Sequence, residues 1–377
     1  MTKVAEPRSA TRSRVDGVDT ARGLALIGMF IAHAAPVAAT LEGAELLAIA
    51  DERPRLLFAL TAGLALGFIS GGTRPTPAAR GFAGGPARRR LRIQIGIRAV
   101  ILIALGLIIT ATVAPLVFII LDVYGVAFLV LLPLLFLPKQ VALGVGIVGL
   151  AIAPGLAVVL SREQWVADAR LARVNLPVDW FISGAYPVIE WVPVMLIGLA
   201  LARYGMTRPD VIAWTALIGT AAAIVFLPAG VALLELGAQQ QLDPSIAASS
   251  VTSFAVGESL QALGNVGVGA LVVAATVTLT GLARERVRRV ASALLSPITA
   301  MGAMPFTIYT VHLLVLAAAI RVENGFKTDD SWPLTIGLIV GSMVFAWCWR
   351  RFVGRGPLEM GMRFVSGRTR NGGPRAT

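Results

Sequence analysis

The sequence predicts an all-α fold, a polytopic transmembrane helix bundle of about ten spans with both termini on the cytoplasmic side. Three observations carry this expectation. Of 377 residues, 56% are hydrophobic and only 14% charged, against about a quarter charged in soluble domains, and mean hydropathy is +0.78. The apolar residues come in blocks close to the ~20 needed to cross a bilayer. The cations crowd into alternate connections between those blocks, as the positive-inside rule requires.

Taken in order, the blocks predict spans at 22–41, 54–72, 93–114, 116–137, 141–160, 186–204, 211–236, 256–282, 295–320 and 333–352. They divide the chain into a basic arm (1–21), a transmembrane helical domain (22–352) and a basic tail (353–377). The arm carries Lys3, Arg8, Arg12 and Arg14, and it precedes the first block, which lacks a small-residue cleavage site. That block is therefore read as a retained span and not as a signal peptide. With an even number of spans, the arm and the tail share a side with the 73–92 connection and with the 283–290 connection, which carries Arg284, Arg286, Arg288 and Arg289. The opposite connections differ. Segment 42–53 holds Glu42, Glu45, Asp51 and Glu52, and 237–255 is polar without cations. Segment 161–185 reads as an interfacial amphipathic helix, and 321–332 mixes Glu323, Asp329 and Asp330 with two cations. The Gly-, Pro- and Arg-rich 73–90 stretch is expected to be flexible.

Composition also removes some functions. A net charge of +12 suggests nucleic acid at first sight, but the cations sit in short connections and are topological. The single Cys348 excludes an intramolecular disulfide framework and a cysteine metal cluster.

Intramembrane ionisable groups are costly, so each marks a candidate site. The chain has only two histidines, His33 and His312, and both lie inside predicted spans. His33 sits roughly 16 Å along the first span at 1.5 Å per residue, just past the midplane. His312 lies at comparable depth on the ninth, which runs the same way. Asp122 and Glu190 enter the bilayer from the other direction. Glu258, Gln261 and Asn265 share one face of the eighth span at i, i+3 and i+7. Five spans thus bring polar groups to one outer-half layer, where an aqueous pocket or a proton-handling site would form. Each residue also has a structural alternative: helix capping or bridging for Asp122, an interfacial position for Glu190, an interhelical hydrogen-bond seam for the Glu258 face. Two histidines from distant spans lack tight ligand spacing, so no metal is expected.

A second set lies at the cytoplasmic ends: Arg22, Arg98 and Arg203. Arginine forks suit phosphate and so a nucleotide-bearing donor; the alternative is ordinary interfacial anchoring. Asp19 stands three residues before Arg22, which also reads as a structural ion pair.

A resemblance rests on particular residues. The run Arg14-Val-Asp16-Gly-Val-Asp19-Thr-Ala-Arg22-Gly23, continuing to Met29 and His33, resembles the opening signature of the transmembrane acyltransferase superfamily. That grouping includes heparan-α-glucosaminide N-acetyltransferase-like proteins, YeiB-like proteins and bacterial integral-membrane O-acyltransferases. Leu57-Phe58 to Gly63, Tyr186-Pro187 through Glu190-Trp191 to Gly198, and Met304-Pro305 through Thr307 and Tyr309 to His312 resemble the YeiB-like branch, and Arg355-Gly356-Pro357-Leu358-Glu359 is its most characteristic mark.

The resemblance implies transfer of an acyl group, most simply acetyl, from cytoplasmic acyl-CoA to a hydroxyl or amine of an extracytoplasmic glycan, lipid or metabolite. It implies a multi-pass protein of the bacterial plasma (inner) membrane, in contact with lipid, without nucleic acid, as a chain, homodimer or larger assembly. In the O-acyltransferase relatives the histidine at the position of His33 is the proposed catalytic residue; in the heparan enzyme that position is asparagine. An imidazole removes the acceptor proton at neutral pH, and Asp122 or Glu190 would orient such a ring. His312 completes the catalytic set. Arg22 and Arg98 would hold the donor's phosphates. Trp191 and Tyr309, within the matching stretches, join Glu258, Gln261 and Asn265 as candidate acceptor-binding residues. The rival expectation is a proton-coupled transporter or flippase of a small solute or lipid-linked group. No inverted repeat or matched pair of broken helices is legible, although Pro297 and Pro305 interrupt the ninth span. A non-catalytic partner in a membrane assembly is a third reading.

Overall fold

Each apolar block of the sequence holds a helix in a computed structural model of the chain, because a backbone out of reach of water must satisfy its own hydrogen bonds. The structure describes residues 15–367 apart from 38–39, 41–42, 44–46, 48–49, 51 and 172–174. The arm cations, the outer acids Glu42, Glu45 and Asp51, and the last tail arginines lie outside the described residues.

In chain order the helices are α1 (Asp16–Ala34), α2 (Glu52–Ile69), α3 (Pro86–Thr112), α4 (Leu121–Leu134) and α5 (Lys139–Leu160). Two short ones, α6 (Gln164–Leu171) and α7 (Leu176–Ser183), precede α8 (Val188–Tyr204), α9 (Pro209–Leu242) and α10 (Ser250–Val277). Then come α11 (Glu285–Leu294), α12 (Ser296–Ala303), α13 (Pro305–Ala319), α14 (Trp332–Phe352) and α15 (Pro357–Val365). An antiparallel hairpin, β1 (Arg321–Glu323) and β2 (Phe326–Thr328), pairs Val322 with Lys327 between α13 and α14.

Among the described residues, α3, α5, α9, α10 with its flanking turns, and α14 are the five helices long and apolar enough to cross a membrane alone. The count reaches seven if the bent pairs α7–α8 and α12–α13 are each one span. This is coarser than the ten spans of the sequence reading, for physical reasons. Helices α1 and α2 carry Asp16, Asp19 and Arg22, and Arg53 and Arg55, inside their length. Helix α4 has only 14 residues, about 21 Å at the α-helical rise against ~30 Å of hydrocarbon. The residues before it turn irregular at Ala114, which has φ 45°, ahead of Pro115.

Small residues place the central helices. A Cβ on Gly63 would lie 2.0 Å from the Met195 carbonyl oxygen, and one on Gly198 would lie 2.1 Å from that of Leu60. Helices α2 and α8 therefore cross backbone to backbone, the usual means of association where lipid offers no hydrophobic drive. Helix α8 is buried nearly all round, whereas α9 exposes Trp214, Leu217, Ile218 and Ile224, an apolar face that suits lipid.

The two bends follow from breaks in the hydrogen-bond ladder. Met304 leaves helical geometry (φ −133°, ψ 53°) ahead of Pro305, whose ring disfavours the α region in the residue before it. Helices α12 and α13 consequently meet at 88°, and α7 and α8 at 55°.

One end of the bundle gathers the cations. There Asp16 at the start of α1 meets Arg350 at the end of α14 (3.2 Å). Arg203, buried at the end of α8, donates to the carbonyls of Gly72 (3.2 Å) and Leu135 (2.6 Å) and to the Ser70 hydroxyl (2.9 Å), tying α2, α4 and α8 together. The 73–90 stretch, expected to be flexible, is held there: Arg88 Nε donates to the Thr76 carbonyl (2.8 Å), and the guanidinium lies over Phe136 (4.4 Å). At the opposite end the Ser331 N–H donates to the Ala34 carbonyl (2.8 Å), pinning the hairpin segment to the end of α1.

Candidate active site

The two histidines meet. His33 is one residue from the end of α1, His312 lies on α13, and His33 Nδ1 is 3.2 Å from His312 Nε2 with the rings stacked at 14°. His312 Nδ1 lies 2.5 Å from the Tyr309 carbonyl oxygen. A carbonyl only accepts, so His312 Nδ1 carries hydrogen and its Nε2 accepts from His33 Nδ1. With both rings neutral, the lone pair of the pair as a whole then resides on His33 Nε2. His312 is fully buried, against the rings of Phe30 (4.8 Å) and Tyr309 (4.7 Å, edge-on), whereas His33 is half-buried.

A cavity of about 320 Å³ has Tyr309, the ring edge-on to His312, in its wall. Part of its lining is aromatic and aliphatic: Phe58, Tyr124, Phe128, Ile120 and Phe306. The Ile120 N–H donates to the Tyr309 hydroxyl (3.1 Å), which satisfies the irregular backbone ahead of α4 where it borders the cavity. Around the same cavity stand Arg22, Arg98, Arg355, Arg363 and Glu359. Burial and the neighbouring Arg355 guanidinium pull Arg363 below the usual arginine range, the condition of cations crowded without enough counter-charge. Arg98 Nε donates to the Ser366 hydroxyl at 3.5 Å.

Arg22 is set differently. Its guanidinium donates to Asp19 Oδ1 (3.0 Å) and to the carbonyls of Gly302 (3.0 Å) and Thr61 (3.1 Å), all buried. Gly302 lies next to the α12–α13 break, where carbonyls lose helical partners. Arg22 thus joins α1, α2 and α12 while still lining the cavity, and Asp19–Arg22 is a structural ion pair.

Asp122 does not orient the pair's Nδ1 donor; its Oδ2 accepts from Trp180 Nε1 (2.7 Å), and the Tyr309 carbonyl takes the orienting role instead. Asn265 accepts from Arg53 Nε (3.3 Å), while Arg55 donates to the Ala185 carbonyl (2.8 Å) beside the Tyr186 ring. Glu190 is buried at the start of α8, and Glu258 is half-buried on α10. Gln261 packs towards Gly230 of α9, where a Cβ would lie 2.9 Å from its Cγ. Trp191 is fully buried, edge-on to Tyr124 (5.2 Å) and Tyr186 (5.6 Å). Among the described residues, Asp122 Oδ1, Tyr124 Oη and Trp191 Nε1 are buried without a hydrogen-bond partner. Such groups cost about 1–3 kcal/mol each when left so and suit contact with a bound polar molecule.

Sequence reasoning missed Arg53, Arg55, Trp180, Arg355, Arg363 and Glu359. Arg53 and Arg55 carried a signal, two cations placed against the charge rule at the end of an acidic connection and the start of the span after it. The Arg355–Glu359 run was quoted as a signature without a role.

A helical bundle with apolar spans, a buried histidine pair and an arginine-lined cavity defines the class, a multi-pass membrane protein. The family model for heparan-alpha-glucosaminide N-acetyltransferase, catalytic, matches residues 14–232, more than half of the chain. A second, described as a protein of unknown function (DUF418), matches residues 196–368. No curated protein gives a sequence match. The chain belongs to the heparan-α-glucosaminide N-acetyltransferase-like and YeiB-like membrane acyltransferase superfamily, and its function is in general of the membrane acetyltransferase type.

Proposed function

We propose that this protein moves an acyl group, most simply acetyl, from cytoplasmic acyl-CoA to a hydroxyl or amine of an extracytoplasmic glycan, lipid or metabolite in a bacterial plasma membrane. The observation that carries the reading is the His33–His312 pair (3.2 Å) held by Tyr309, a residue that also stands in the wall of the arginine-lined cavity. In this reading the cation-rich end faces the cytoplasm, as the positive-inside rule favours, and the bundle crosses the membrane about ten times. Arg98, Arg355 and Arg363 take the donor's phosphates, since guanidinium forks match phosphate oxygens. The aromatic part of the cavity takes the pantetheine arm and the thioester. Arg22 lines the same space but is already committed to Asp19 and two carbonyls, so its share in donor binding is secondary.

The acceptor enters from the hairpin end, towards Glu190, Glu258, Asn265 and the buried polar atoms of Trp191 and Tyr124. His33 Nε2 removes the proton from the acceptor O–H or N–H. The nucleophile adds to the thioester carbonyl carbon, the C–S bond breaks, and the departing CoA thiolate takes that proton. His312 stabilises the cationic ring of His33, because its Nε2 accepts from His33 Nδ1 while Nδ1 is fixed on the Tyr309 carbonyl.

A carrier is the second reading, and the two bent helix pairs (55° and 88°) favour it, since broken spans frame midplane sites in transporters. The deciding assay uses proteoliposomes, radiolabelled acetyl-CoA and a panel of amino sugars and hydroxylated lipids. Wild type should label an acceptor and His33→Ala should not, with both proteins folded. Equal labelling by His33→Ala removes the histidine from the chemistry. Uptake of a solute without any CoA-dependent labelling supports the carrier.

A further inference from the structure

The break at Met304 leaves the first N–H groups of α13 without intrahelical partners, beside the donor cavity. Met304 offers no side-chain cap. The deficit is met by a residue 53 positions along the chain. Glu359 Oε1 accepts from the Phe306 N–H (2.8 Å) and the Thr307 N–H (3.1 Å), and Oε2 accepts from the Thr307 hydroxyl (2.5 Å). The Thr307 oxygen in turn accepts from the Leu358 N–H (3.1 Å), so α15 and the start of α13 are bonded in both directions. A carboxylate at a helix N-terminus also meets the favourable end of the dipole.

Gly356 makes the approach possible. A Cβ there would lie 2.1 Å from Glu359 Oε2 and 2.6 Å from Met304 Cβ. Proline at 357 starts α15 with its fixed φ, which aims Glu359 back at α13. The signature Arg355-Gly-Pro-Leu-Glu359 is thus a cap delivered in trans. The helix it caps is the one that presents Tyr309, in the cavity wall, and His312, whose Nδ1 the Tyr309 carbonyl fixes.

We propose that Glu359 is a positioning residue for the histidine pair. By holding the N-terminus of α13 it sets the angle at which Tyr309 and His312 face His33, and with it the tautomer order of the pair. The inference rests on reading that pair as the transfer site.

The test uses the full chain with 15N-labelled histidine in nanodiscs. Two histidines give two ring systems, and His33→Ala assigns them by leaving one. Wild type should show both rings protonated at Nδ1. Glu359→Gln, whose amide oxygen still accepts from the Phe306 and Thr307 N–H groups, should keep that pattern and most of kcat. Glu359→Ala should show mixed tautomers at His312 and His33, with kcat for acyl transfer down at least tenfold and the KM for acyl-CoA changed less than twofold. A folded Glu359→Ala protein with wild-type ring signals overturns the proposal, even if it melts earlier. If Glu359→Ala does not fold, Glu359→Asp, one methylene shorter, is judged by the same signals. Failure of the transfer reading is separate: it appears as acyl transfer by His33→Ala, whereas the ring nitrogens report the hold of Glu359 on His312 in either case.

Discussion

Replacing Arg22 by Met separates a structural clamp from a donor ligand. Arg22 is 8% exposed, and its guanidinium donates to Asp19, itself 4% exposed, and to the Gly302 and Thr61 carbonyls at 3.0–3.1 Å. Methionine fills much of the volume but strands a buried carboxylate and two buried carbonyls. Breaking a buried ion pair by removing one partner costs about 3–5 kcal/mol. The carbonyls add to that loss, though not independently. We therefore expect Arg22→Met to lose about 4 kcal/mol, on the order of 10 °C in melting temperature. Adding Asp19→Asn removes the stranded charge, so the double variant should regain about 1–3 kcal/mol over Arg22→Met alone. Thermal unfolding in detergent, followed by tryptophan fluorescence, measures all four proteins of the cycle. An Arg22→Met protein that melts with wild type refutes the clamp and returns Arg22 to the donor. A double variant no more stable than the single refutes the stranded-charge argument.

Other expectations follow from the same geometry. A Cβ on Gly302 would lie 1.7 Å from the Asp19 carbonyl oxygen, so Gly302→Ala must push α12 off α1 and should cost about 3 kcal/mol. Gly337, with nothing within 4 Å of such a Cβ, should accept alanine within about 0.5 kcal/mol by the same melt. Arg363→Ala and Arg98→Ala should each raise the KM for acyl-CoA about tenfold, the worth of one charge-assisted hydrogen bond to phosphate, without lowering the melting temperature by more than a few degrees. In the connection before α14, burial and Asp330 raise the Asp329 carboxyl above its ordinary range, and its Oδ2 has no partner among the described residues. The folded state therefore holds that proton more tightly. Its stabilising contribution is full below the unfolded value of about 3.9 and is lost as pH rises through the folded one. Asp329→Asn should accordingly melt higher than wild type at pH 7.5 but not at pH 3.5, and equal melting at both values would contradict the assignment.

What the sequence made legible is what the membrane makes expensive. His33 and His312 stood out because ionisable groups inside apolar blocks are rare, and the helical rise gave them a comparable depth before any contact was known. The Asp19–Arg22 spacing likewise announced an ion pair on one helix face. The partners that complete the site were not legible, because each depends on distant elements. Trp180 reaches Asp122 from a bent segment whose 55° angle no local pattern reports. Glu359 reaches α13 only because a break leaves donors there and a glycine lets α15 come close. For His312 the partner at Nδ1 is a carbonyl on its own helix, three residues back, and helix periodicity had placed it there unnoticed. The shortness of α4 also escaped detection, since the apolar residues 116–120 between Pro115 and its start read as the opening of the span.

The central claim is that a donor carrying a thioester occupies the arginine-lined cavity with its acyl end at the histidine pair. It is tested most directly by the structure of the protein bound to an acetyl-CoA analogue whose sulfur is replaced by methylene, which cannot transfer. The account predicts the analogue's phosphates among Arg98, Arg355 and Arg363, its arm along Phe58 and Tyr124, and its acetyl group beside Tyr309, towards His312. A saturated complex with the analogue outside this cavity, or a solute held between His33 and His312 in a protein that binds no CoA compound, would contradict it.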